Sequence, residues 1–86
     1  MRQPIHISLD TEIPGGAGYI RYGHGHPVRQ ETLDEHFCVA VDFDAEGDVV
    51  GVELTSLDAF AFGLLADAGR KYDLAIPDLT SSVATS

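Results

Sequence analysis

Apolar residues recur at every second position through residues 37–54, the strongest pattern in the chain. Phe37, Val39, Val41 and Phe43 share one face of an extended backbone, with Cys38, Ala40 and Asp42 on the other. That period is the signature of a half-buried β-strand. In the next run Val50, Val52 and Leu54 alternate with Val49, Gly51 and Glu53. Between the runs, Asp44-Ala45-Glu46-Gly47-Asp48 supplies turn chemistry, and Gly47 is free to take positive φ. The segment predicts a β-hairpin. Weaker alternation predicts strands over 5–9 and 18–22, on either side of a loop holding Pro14-Gly15-Gly16. Gly23-His24-Gly25-His26-Pro27 cannot continue a regular strand, because glycine weakens the ladder and proline removes a donor. Residues 28–33 are more polar and predict the least buried strand, with Asp34-Glu35 as a tight turn into the hairpin.

After Thr55 the period changes. Leu57, Phe60, Ala61, Leu64, Leu65, Ala68 and Tyr72 follow a 3.6-residue repeat and predict one amphipathic helix. Ser56 is the expected N-cap, Asp58 suits the first turn, and Arg70 and Lys71 suit the last, where they complement the helix dipole. The fold class that follows is α+β: an antiparallel meander of four to five strands followed by one C-terminal amphipathic helix. Residues 1–76 are expected to form a single domain, with residues 73–79 able to dock as an extended strap. A flexible C-terminal tail is expected over 77–86, small and polar from Thr80 onward.

Length and charge narrow the functional classes. A chain of 86 residues suits one domain, and at that size only roughly 60 to 65% of the unfolded chain's surface is buried. A second copy of the chain is a natural cover for what remains, so a homodimer is expected. Fourteen acidic residues against five basic ones give a formal charge of −9. Such a surface repels nucleic-acid backbones and anionic lipid headgroups, and favours a basic protein partner or a cation. The single cysteine, Cys38, has no intrachain partner and reads as a buried thiol in a reducing compartment. The start of the chain lacks a signal-peptide pattern, and no apolar run approaches the ~20 residues of a membrane span. A cytoplasmic location is the expectation.

Tyr19-Ile20-Arg21 before a polar strand, Val39-Ala40-Val41-Asp42, an acidic turn with Gly47, and Val50-Gly51-Val52-Glu53-Leu54 before a helix together resemble the domain of unknown function 2283 family. The likeness covers roughly residues 5–65. It implies a small bacterial or archaeal protein with an antiparallel sheet followed by a helix. No biochemical activity is established for that family as a whole, so the resemblance implies no site residue. One departure is Pro14-Gly15-Gly16-Ala17-Gly18, where the family has an acidic turn with alanine before the Tyr-Ile-Arg strand.

Three kinds of chemistry merit weighing. Asp42, Asp44, Glu46 and Gly47, followed by Glu53, match the spacing of a calcium-binding EF-hand loop. That motif needs flanking helices, whereas the flanks here are β-rich, and a hairpin carries Glu53 away from the turn. Histidines give the second reading. If the first two strands are antiparallel neighbours, His6 shares an end of the sheet with His24, His26 and the acidic turn, a donor set suited to Zn²⁺ or a similar transition metal. His36 is set aside, since it lies at the opposite end of a strand roughly 20 Å long. The third is nucleophilic catalysis by Cys38, which is disfavoured because a reactive thiolate needs an electropositive, accessible setting and the neighbours here are apolar or acidic. No catalytic or cofactor-binding residue is therefore assigned, and no resident cofactor is expected. The favoured function is a non-enzymatic protein-interaction module that self-associates; the alternative is a metal- or small-ligand-binding protein centred on His6, His24 and His26.

Overall fold

A computed structural model describes residues 1–79. Five strands, β1 (His6–Asp10), β2 (Ala17–Arg21), β3 (Arg29–Thr32), β4 (Val39–Phe43) and β5 (Val49–Leu54), precede the helix α1 (Ala59–Tyr72). They form a single antiparallel sheet in the order β1-β2-β5-β4-β3. The α+β class and the closing helix are thus as expected. The sheet is a hairpin, β1-β2, joined along β2 and β5 to a meander, β3-β4-β5, and this order makes β1 and β3 its two edges.

One face of the sheet is the floor of the core. Ile20, Val52 and Val41 lie in register across β2, β5 and β4, and all are fully buried. Ala61, Leu65 and Ala68 of α1 belong to the same cluster. Each large apolar side chain so covered contributes about 1.5–3 kcal/mol of transfer free energy, which makes this stripe the main source of stability. A β-bulge between Asp42 and Phe43 shifts the register, so that Phe43 pairs with Val49 while Asp42 pairs with Gly51. Val49 consequently joins the core, where strict alternation had set it on the opposite face.

Three local expectations are corrected. The β4 strand begins at Val39, because the Asp34 carboxylate accepts the amides of His36 and Cys38 and winds the chain into a turn. That turn leaves Phe37 at φ 58° and 62% exposed, on neither face of a strand. The N-cap of α1 is Asp58, whose side chain accepts the Ala61 amide at 2.9 Å; Ser56 stands two residues earlier, and its buried hydroxyl accepts no amide. With that start, Ala61, Leu65, Ala68 and Tyr72 face the sheet and Phe60 turns outward, 56% exposed.

Beyond α1 the chain reverses at Asp73, held in the left-handed region at φ 57°. Residues 73–79 then run back beside the helix. The Tyr22 hydroxyl donates to the Ala75 carbonyl at 2.7 Å. Arg2 bonds through its backbone to Asp73 and Ala75, and through its guanidinium to the carbonyls of Val49 and Tyr22. Leu79, past the boundary drawn at residue 76, is only 4% exposed and belongs to the core cluster. The expectation for residues 80–86 lies outside the described residues. Among the described residues, no helix is long and apolar enough to cross a membrane.

Candidate interaction surface

The β1 strand has a partner on one side only. The Tyr22 amide donates to the Val50 carbonyl, so the even-numbered residues of β2 bond toward β5 and its odd-numbered residues toward β1. Arg21, Tyr19 and Ala17 face His6, Ser8 and Asp10 in register. The backbone groups of Ile7 and Leu9 are then directed to the free edge. Side chains alternate independently of this. Ile7 stands opposite Ile20, on the face that α1 covers, but at the sheet margin it remains 40% exposed. Ile5, just before the strand, is 47% exposed, and Ile13, in the loop after it, 45%. Leu9 and Ile13 also line a shallow depression of about 530 Å³, with Tyr19, Glu53 and Leu54 on its far side.

The face of the sheet away from α1 carries a polar network. Its first cross-strand row reads His6, Arg21, Gly51, Asp42 and Gln30, and the next reads Ser8, Tyr19, Glu53, Ala40 and Thr32. Asp42 is 8% exposed, the sole polar residue among the buried ones described. The Tyr19 hydroxyl donates to Asp42 Oδ2 at 2.8 Å, and Gln30 Nε2 donates to Asp42 Oδ1 at 2.9 Å. These bonds satisfy the carboxylate in a site where an unpaired charge is costly. Burial, and then the bond to Asp42, push the Tyr19 phenol up to about 12, so it stays a neutral donor. Its ring lies across Gly51, where a Cβ would overlap the phenol. Hydrophobic alternation did not reveal this network; its trace in the sequence is an aspartate inside an otherwise apolar strand, with a glycine at the matching place in the next.

Among the residues singled out for chemistry, His6 donates to or accepts from Ser8 Oγ at 3.1 Å through Nε2. Because His6 pairs with Arg21, it shares an end of the sheet with the turn that bears His24 and His26, and both of those are exposed. The rings are not gathered into a ligand set: among the described residues, the group whose donor atoms all approach within 4.8 Å is Asp44, Glu46 and Asp48. Asp44 Oδ1 there accepts the amides of Glu46 and Asp48, so one carboxylate of the group is engaged in shaping the turn. Glu53 sits on β5 between Tyr19 and Ala40, away from that turn. Cys38 is a half-buried free thiol whose backbone is tied to Asp34 and Thr55.

No family model matches the chain, and no curated protein or solved structure matches it either. Function is accordingly argued from the geometry above.

Proposed function

We propose that the protein is a non-enzymatic interaction module that self-associates, with a dimer as its working form, in a reducing cytoplasmic setting. The observation that carries this reading is the β1 margin, where Ile5, Ile7 and Ile13 remain exposed beside a row of unpaired backbone groups. Apolar side chains next to an open strand edge gain both desolvation and hydrogen bonds when another chain covers them. The acidic surface, with a formal charge of −9, suits a basic protein as a further partner. A second reading, binding of Zn²⁺ or a small ligand by His6, His24 and His26, draws its support from their common end of the sheet.

Native mass spectrometry of untagged protein across a dilution series tests both readings. The expected result is a doubled mass at micromolar concentration that gives way to the single chain on dilution. A single-chain mass at all concentrations removes the self-association reading. A stoichiometric metal increment that disappears on substituting His24 and His26 transfers support to the histidines.

A further inference from the structure

We propose that β1 pairs antiparallel with β1 of a second copy about a two-fold axis through Ser8, making one continuous sheet across the dimer. The inference rests on the self-association reading and adds to it the surface, the register and the symmetry.

The backbone sets the first condition. Outward N–H and C=O groups belong to Ile7 and Leu9, as the β1-β2 register requires. Two antiparallel strands centred on Ser8 place Ile7 of one copy opposite Leu9 of the other. In that register Ile7 and Leu9 form the hydrogen-bonded pairs, and the two Ser8 residues meet as a non-hydrogen-bonded pair on the axis. A centre on Ile7 instead sets Leu9 opposite Ile5, whose amide is already bonded to the Arg21 carbonyl, and a centre on Leu9 sets Ile7 opposite the polar Thr11. The orphaned edge groups are best used by the register about Ser8.

Side chains supply the second condition, independently of the first. About Ser8, the exposed Ile7 meets the partner's Leu9 on the face that α1 covers. On the opposite face His6 meets the partner's Asp10, an acceptor beside a ring that bears an N–H. Both pairings occur twice by symmetry, as an isologous interface demands. Asp10 Oδ1 already accepts the Glu12 amide at 3.0 Å, which holds the carboxylate at the strand end and leaves Oδ2 for the incoming imidazole. The strand thus carries an apolar pair, a small residue on the axis and a complementary polar pair in a mirror-ordered sequence, His-Ile-Ser-Leu-Asp. An arbitrary strand has no reason to match itself in this way.

The test uses the full chain with Cys38→Ser, so that an added cysteine is its only thiol. Ser8→Cys is expected to form an inter-chain disulfide under mild oxidation, because non-hydrogen-bonded neighbours approach to about 4.5 Å between Cα atoms, within disulfide reach. Thr32→Cys, on the opposite edge strand, is expected to stay reduced under the same conditions. Separately, Ile7→Pro deletes an amide that β2 does not use. It is expected to weaken association by at least ~100-fold while far-ultraviolet circular dichroism stays unchanged. A folded Ile7→Pro protein that still dimerises, together with a Ser8→Cys chain that does not cross-link, overturns the strand pairing but leaves self-association standing. If the unsubstituted chain is monomeric throughout, both proposals fall. If Ile7→Pro does not fold, the cross-linking pair decides alone.

Discussion

The two edges of this sheet solve the problem of unpaired strand backbone in opposite ways. The β3 edge carries Arg29, Gln30, Glu31 and Thr32, and its charges are engaged from the helix side. Arg29 lies 4.2 Å from the Phe43 ring centroid and pairs with Glu31 at 3.0 Å. Lys71 of α1 approaches Glu31 at 3.6 Å. Adding another strand there means stripping water from these groups, so the edge is protected by its own side chains. The β1 edge has no lysine, arginine or proline between His6 and Asp10, and its apolar residues are exposed at a margin that the helix does not fully cover. One edge is guarded and the other left apolar, and the proposed association rests on that asymmetry.

The strongest way to break the contrast is to give β1 the protection that β3 has. Ile7→Lys should weaken dimerisation at least ~100-fold, about 2.7 kcal/mol, in sedimentation equilibrium. Thr32→Lys on β3 should leave the oligomeric state as it was. The reverse exchange removes the guard: Arg29→Thr with Glu31→Val should make a second adhesive edge, seen as light scattering that grows with concentration beyond the dimer.

Smaller effects concern what ties the two edges together. Tyr19 on β2 reaches over Gly51 to Asp42 on β4, so it links the β1 half of the sheet to the β3 half. Tyr19→Phe strips one partner from a buried carboxylate and should lower unfolding stability by about 1 kcal/mol in urea titrations. Gln30, bonded to the other oxygen of Asp42, limits the loss. Alkaline pH gives the mildest probe. Tyr19 and Tyr22, both in or beside β2, are raised from 10.0 to about 12, Tyr22 by burial alone. A raised folded-state pKa means that the folded chain holds its proton more tightly than the unfolded one. Stability should therefore be unaffected by these groups below pH 10 and fall between pH 10 and 12, with a shallower fall in Tyr19→Phe.

How much of this was legible without coordinates depended on range. The hairpin of β4 and β5 was readable from alternation and a glycine-ended acidic turn, since both signals lie within a few residues of each other. The helix was readable from its period, but its first residue was not. Ser56 and Asp58 are both acceptable caps by type, and in the folded chain the Asp58 carboxylate accepts the Ala61 amide while the Ser56 hydroxyl accepts none. Phe37 had every local mark of a strand residue and lost that place to the Asp34 carboxylate. The shared end of His6, His24 and His26 followed from strand direction alone, whereas the distances between their rings depend on turn conformation, which residue types do not specify.

The sequence by itself determined the class of structure, the core-facing side of most strands, and the acidic character of the surface. Those properties follow from periodicity and composition, which act residue by residue along the chain. Tertiary structure alone decided that β2 joins β5, and with it that β1 and β3 are the edges, that Asp42 is held between Tyr19 and Gln30, and that Ile7 and Leu9 turn their backbones outward. Each of these depends on which strands meet across long stretches of chain. Pairing between distant strands is selected by the joint burial of many side chains, a property that no single segment carries.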